Sequence, residues 1–113
     1  MTFKPFDVLV VPFPFTDSAA VKRRPALVLS AEPFQDRIGH LVLAMITSHE
    51  NLGWPLDVEI SDLRAAGLPH ASVVRMKLFT LDERFVLRKA GRLGEVDRRA
   101  VQHSLKLLLP ING

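Results

Sequence analysis

Apolar residues fall along the chain in two different rhythms. Asp7–Phe13 carries valine and leucine at successive positions, which predicts a strand buried on both faces. Pro12 and Pro14 have no N–H for a ladder, so the strand must end there or lie at an edge. Phe15–Arg23 reads as a loop, with Thr16-Asp17-Ser18 as its turn former. Pro25–Ser30 and His40–Thr47 are predicted strands, and Glu32–Gly39 between them reads as a polar connection. Ser48–Trp54 is a second loop, broken by Asn51 and Gly53. Pro55–Ile60 alternates strictly and reads as a half-exposed strand. Ser61–Gly67 reads as one helical turn, capped by Ser61 or Asp62 and stopped by Gly67.

Ala71–Lys77 alternates again, with Val74 and Met76 set against Arg75 and Lys77. Phe79–Leu81 leads into a turn at Asp82–Arg84, and Phe85–Leu93 forms a last, basic strand. The rhythm then changes. In Glu95–Leu109 the residues Val96, Ala100, Val101, Leu105 and Leu108 recur at helical spacing. Asp97, Arg98, Gln102 and Lys106 fall on the remaining faces, Glu95 can pair with Arg99, and Pro110 ends the helix. About six short strands and one closing helix predict a mainly β fold, a small SH3-like barrel. No linker, repeat or low-complexity tract divides the chain, so residues 1–113 read as a single domain.

Composition narrows the chemistry. The 113 residues are 48% hydrophobic and 24% charged, a balance that supports a packed core. Cysteine is absent, which excludes disulfides, thiolate metal sites and a cysteine nucleophile, and fits a reducing cytoplasm. The N-terminus lacks the basic-then-apolar order of an export signal, and the longest apolar stretches, Val8–Phe15 and Leu41–Ile46, are too short to span a bilayer. The expected protein is cytoplasmic with no membrane association. A net charge of +3 and a pI near 9.8 suit either a polyanionic partner or an ordinary solvated basic surface. The cations gather at Lys22-Arg23-Arg24, at Arg75 and Lys77, and at Arg88, Lys89 and Arg92.

Several chemistries have no counterpart. Gly91 and Gly94 do not make a phosphate loop, no nucleophile elbow exists, and His40, His49, His70 and His103 lack metal-ligand spacing. No cofactor and no metal are expected. Two places remain. Lys22-Arg23-Arg24-Pro25 stands at the mouth of a strand, where the proline biases Arg24 toward extended backbone. It is either a phosphate fork or a solvated hairpin loop. Ile46-Thr47-Ser48-His49 ends a strand in hydroxyls, as a ligand contact or simply as β-branched and turn residues.

Taken in order, these pieces resemble a family. Val10-Val11-Pro12-Phe13-Pro14-Phe15-Thr16-Asp17, Lys22-Arg23-Arg24-Pro25-Ala26-Leu27-Val28-Leu29-Ser30 and Leu43-Ala44-Met45-Ile46-Thr47-Ser48 resemble MazF/PemK toxins of type II toxin–antitoxin systems. So do Ser72-Val73-Val74-Arg75-Met76-Lys77-Leu78-Phe79-Thr80-Leu81-Asp82 and the closing Leu87–Leu109 segment. The resemblance implies an SH3-like barrel of the MazF/PemK/CcdB type with a C-terminal helix, usually a homodimer. It implies metal-independent, sequence-selective cleavage of single-stranded RNA, leaving a 2′,3′-cyclic phosphate and a 5′-hydroxyl. The position before the strand-opening proline implies Arg24 as one catalytic group, and the Ile-Thr pair implies Thr47 as the other. The implied partner is a small cognate antitoxin. Many members carry glycine directly before the first-strand aspartate; here Phe6 stands there, which bears on the local backbone.

Around Arg24 and Thr47, the expected RNA contacts are Lys22, Arg23, Arg75 and Lys77 for the backbone, with Ser48, His49 and Ser72 as lining. Trp54 either stacks on a base or plugs its own loop, and Phe13 and Phe15 read as core or loop anchors. Two other functions compete. One is a CcdB-like gyrase poison that acts by protein binding, although Leu109-Pro110-Ile111-Asn112-Gly113 has no aromatic residue for that task. The other is a catalytically silent relative that only binds RNA or antitoxin.

Overall fold

Alternation of apolar side chains is what builds the sheet. In the computed structural model, which describes residues 2–13, 22–51 and 53–111, the strands are β1 (Asp7–Phe13), β2 (Lys22–Val28), β3 (His40–Ser48), β4 (Val58–Glu59), β5 (Ser72–Asp82) and β6 (Arg88–Arg92). They form one antiparallel, curled sheet in the order β4-β5-β3-β2-β1-β6. The helices are α1 (Glu32–Ile38), α2 (Leu63–Ala66) and α3 (Glu95–Leu108). The mainly β barrel-like fold with a terminal helix follows the sequence reading. None of the helices among the described residues is long and apolar enough to cross a membrane.

Successive residues of β1 point to opposite faces, and both faces are covered. Val8, Leu27, Ala44, Ile46 and Val74 form one core, beneath α2 and α3. Leu9, Val11, Ala26, Val28, Leu41 and Leu43 form the other, closed by Phe3 and by Phe13, whose ring meets Phe79 edge-on at 5.0 Å. Burying each large aliphatic residue contributes roughly 1.5–3 kcal/mol. Pro12 is accommodated because β6 pairs with β1 only from Asp7 to Val10, so beyond Val10 that flank of β1 has no ladder among the described residues. Pro14, Phe15 and the Thr16-Asp17-Ser18 turn lie outside the described residues.

Several elements differ from the sequence reading. Glu32–Ile38 is a helix rather than an irregular connection. Pro33 stands in its first turn and Gly39 stops it in the left-handed conformation at φ +68°. Its buried Gln35 accepts from the Phe3 N–H at 3.0 Å and donates to Glu83 at 2.7 Å. The predicted Pro55–Ile60 strand shrinks to Val58–Glu59, and the last strand starts only at Arg88. β2 begins at Lys22, three residues ahead of Pro25. β5 runs on through Phe79–Leu81 to Asp82, and a 3₁₀ turn at Glu83–Phe85 follows. There Arg84 grips the Asp82 carboxylate and holds it below the usual carboxylate range.

α3 packs through Val101, fully buried, with Ala100, Leu105 and Leu108 against the first core. Val96 is instead 72% exposed. The inward place next to it belongs to Asp97, which accepts from Ser61 N–H, Ser61 O–H and Asp62 N–H at 2.7–3.0 Å. This carboxylate pins α3 to the entrance of α2, whose own cap is Asp62, as expected. α2 lies backbone-to-backbone on β6. A Cβ at Gly67 would stand 2.0 Å from the Ala90 carbonyl oxygen, and one at Gly91 would stand 2.4 Å from that of Ala65. Gly91 is thus a packing residue.

Phe6 adopts φ +73°. Its N–H donates to Val28 at 2.7 Å and its carbonyl accepts from Leu93 at 3.0 Å, so the bonds on both sides hold this left-handed turn. Glycine adopts that conformation without strain, which gives a physical reason for glycine elsewhere in the family at this position.

Candidate functional site

The site begins where a ladder stops. β2 and β3 pair at Ala26↔Met45, Leu27↔Ala44 and Val28↔Leu43. Continuing that register by two residues sets Arg24 opposite Thr47, on the same face of the sheet. No ladder bonds join them there. Pro25 has no N–H to give, and the two strands part. A cleft of about 890 Å³ opens at this splay. Arg23, Arg24 and Pro25 of β2 form one wall, and Ile46, Thr47 and Ser48 of β3 form another. His49 and Glu50 continue the second wall, residues 67–71 and Ser72 at the start of β5 form the rim, and Leu87, Arg88 and Ala90 close the side toward β6.

Thr47 is 5% exposed. Its Oγ1 accepts from Asn51 Nδ2 at 3.2 Å, which leaves its own O–H free to donate into the cleft. Asn51 was read from the sequence only as a loop breaker. Its placement is set by Arg75, which donates from Nη2 to the Asn51 carbonyl. Arg75 is itself clamped by Asp57, Nε to Oδ1 at 3.2 Å and Nη2 to Oδ2 at 2.9 Å. An unbroken polar chain therefore runs Asp57–Arg75–Asn51–Thr47. The spacing of Thr47 and Asn51 across one loop turn was the only signal for it in the sequence.

The predicted site residues divide into groups. Arg23, Arg24, Thr47, Ser48, His49 and Ser72 share the cleft. Ser48 is exposed and accepts from the Glu50 N–H, while the Ser72 hydroxyl turns back onto the His70 carbonyl at 2.8 Å. His49 donates from Nε2 to the Glu59 carboxylate across the rim. Trp54, Arg75 and Lys77 gather elsewhere. The two cations stand 5.3 Å and 5.7 Å from the centre of the exposed Trp54 ring. Lys22 is exposed at the start of β2, opposite Phe13, and belongs to neither group. Arg88 was grouped from the sequence only as part of a basic cluster, yet it lines the cleft. With Arg23 and Arg24 it gives the walls, among the described residues, three guanidinium groups against the one carboxylate of Glu50. Among the described residues, no three His, Asp or Glu side chains gather closely enough to hold a metal ion.

Comparison with known proteins places this geometry. The chain matches none of the curated proteins. Its fold is that of several solved structures. The Mycobacterium tuberculosis toxin MazF-mt6 superimposes with a TM-score of 0.74 at 19% identity, over 95% of this chain and 99% of that one. MazE-MazF of Deinococcus radiodurans (Form-III) gives 0.78 at 22% identity, over 99% and 100%. An endoribonuclease in complex with its cognate antitoxin, from Mycobacterial species, gives 0.75 at 12% identity, over 99% and 97%. The family model for PemK-like, MazF-like toxins of type II toxin–antitoxin systems matches residues 4–109. The chain belongs to that toxin family.

Proposed function

We propose that this toxin is a sequence-selective endoribonuclease that cuts single-stranded RNA without a metal. The observation that carries the reading is that Arg24 and Thr47 line one open, cationic cleft from the two sides of the splayed end of β2 and β3. RNA brings its own nucleophile, because the ribose 2′-hydroxyl lies beside the phosphorus. The protein need only orient the nucleotide, steady the pentavalent phosphorane and manage two protons. Arg24 stabilises the charge that develops on the nonbridging oxygens through its planar fork of donors. A guanidinium stays protonated in proteins, so an electrostatic role suits it better than a base role. Thr47 donates a hydrogen bond from its hydroxyl to one of the same oxygens, while its Oγ1 accepts from Asn51. The products are a 2′,3′-cyclic phosphate and a 5′-hydroxyl.

Reading base edges requires unstacked nucleotides, which is why the substrate is single-stranded. Arg23 and Arg88 on the cleft walls contact the phosphates, with Lys22 at the entrance of β2. Trp54, exposed beside Lys77, offers a ring face to a base. The toxin works as a homodimer in the cytoplasm, and a cognate antitoxin silences it by covering the cleft, in keeping with the antitoxin-bound endoribonuclease among its structural relatives.

Incubation of the purified protein with a long single-stranded RNA in EDTA tests the reading. Discrete fragments with 5′-hydroxyl ends are expected. Intact RNA overturns it, and intact RNA together with arrested gyrase would replace it with the protein-binding alternative.

A further inference from the structure

Arg24 and Thr47 leave a proton unaccounted for. When the P–O5′ bond breaks, its electron pair goes to an alkoxide, a very poor leaving group unless it is protonated as it departs. A guanidinium is too weak an acid for this, and a threonine hydroxyl weaker still. We infer that His49, oriented by Glu59, donates this proton; the inference rests on the endoribonuclease reading above.

His49 follows Thr47 by two positions and lines the same cleft. Its backbone N–H donates to the Ala71 carbonyl at 2.9 Å, which fixes the residue to the start of β5. Its Nε2–H is held by Glu59, on the neighbouring strand β4. A carboxylate accepts hydrogen bonds, so Nε2 donates in this contact, and Nδ1 has no hydrogen-bond partner among the described residues. The same arrangement, an imidazole oriented by a carboxylate, is used in catalytic triads to hold histidine for proton transfer.

The other charged or titratable groups around His49 are Glu50 beside it, His70 on the rim, Arg23 and Arg24 on β2, and Arg88 on the β6 side. A guanidinium is too weak an acid for the task, and a carboxylate offers only acceptor oxygens. His70 is the remaining imidazole, but its side chain has no hydrogen bond or ion pair among the described residues to orient it; only its backbone carbonyl is engaged, by Ser72.

The step balances. The 2′-hydroxyl loses its proton to water as the O2′–P bond forms. The P–O5′ bond breaks, and the Nδ1 proton of the His49 imidazolium passes to O5′. Solvent then returns a proton to the ring.

The test compares His49→Gln with the parent on an oligonucleotide spanning one mapped cut, in two forms. One form has the natural 5′-oxygen at the scissile bond. The other has sulfur there, which leaves without a proton. His49→Gln should slow the natural form about 10²–10⁴-fold and cut the sulfur form at close to the parent rate. The parent rate on the natural form should fall as pH rises, since an acid must carry its proton, and His49→Gln should abolish that descending limb. Glu59→Gln should show a smaller loss with the same rescue. An unchanged rate and pH profile in His49→Gln overturns the inference, as does an equal loss on both forms, or the rescue pattern appearing in His70→Gln instead. If the parent leaves every RNA whole, the endoribonuclease reading falls first; if the parent cuts and His49→Gln cuts equally well, only this inference falls.

Discussion

Replacing Arg75 by alanine asks whether this cation serves the fold or the substrate. The side chains of Arg75 and Asp57 are 9% and 8% exposed, so the pair is out of water. The guanidinium makes two bonds to the Asp57 carboxylate and a third to the Asn51 carbonyl, and it stands 5.3 Å from the centre of the Trp54 ring. Arg75→Ala leaves the Asp57 carboxylate buried without a counter-ion. Removing one partner of such a pair costs about 3–5 kcal/mol, against about 0–1 kcal/mol for an exposed pair. For a domain of this size each kcal/mol moves the thermal midpoint by roughly 4 °C, so the expected drop is roughly 12–20 °C.

Arg75→Lys keeps the charge but loses the fork, and should fall between parent and alanine. In the double variant, Asp57→Ala with Arg75→Ala, the losses should sum to less than the two singles, because no charge is left unpaired. Circular dichroism melts of these three variants and of Asp57→Ala alone provide the comparison. Cleavage should fall as well, in kcat rather than KM, because Asn51 loses the anchor that sets Thr47. A cation that instead contacted RNA would behave differently: Arg75→Ala would melt with the parent and lower the slope of log K against log salt by about one unit. That pair of results would refute the structural role.

Three further outcomes follow from the same geometry. Thr47→Val removes the hydroxyl with little change of shape and should lower kcat about 10²–10³-fold while the melt shifts by no more than the lost Asn51 bond, about 1 kcal/mol; an active variant would remove Thr47 from the site. Phe6→Gly should be more stable than Phe6→Ala by about 1–2 kcal/mol in urea titrations, because both lose the ring but only glycine relieves the φ of +73°; the reverse order, usual within regular elements, would show that the turn is not strained. Gly67→Ala places a Cβ 2.0 Å from the Ala90 oxygen at a φ of +71° and should cost roughly 2–5 kcal/mol, with loss of cleavage as the Leu68-Pro69-His70 rim shifts; a melt equal to the parent would contradict the close packing of α2 on β6.

The strands with strict or saturated apolar patterns were legible because one residue type per face is enough to define them. β1 and β3 fall where the pattern sets them, and α3 ends one residue short of its predicted limit. α1 was missed for a local reason. Its N-cap is Ala31, which offers no side-chain acceptor, and its single buried residue is the polar Gln35. Only Pro33 near its start and Gly39 at its end marked it. Asp97 was placed outward because a carboxylate on an amphipathic helix ordinarily faces water, and its donors, Ser61 and Asp62, lie 36 and 35 positions away.

Arg75 shows the limit of period-two reading most clearly. Alternation along Ser72–Asp82 gives Arg75 and Met76 opposite faces, one wet and one dry. The pairing of β5 with β3 slips between Ala44 and Met45, so Ala44 meets Leu78 while Met45 meets Arg75. The bulge spends two extra residues of β5 there, and both Arg75 and Met76 end up buried. No sequence window of β5 contains that slip, because it is a relation between two strands. The same holds for the site itself. Arg24 and Thr47 are each ordinary near the ends of their strands, and only the β2–β3 register brings them to opposite walls of one cleft. What joins them to stability is the chain from Asp57 through Arg75 and Asn51: the charge that the fold must bury to hold its edge is the charge that holds the Thr47 hydroxyl in place. If Thr47 acts as proposed, activity is tied to packing, and a change at the hidden Asp57 carboxylate should slow cleavage without touching the cleft wall.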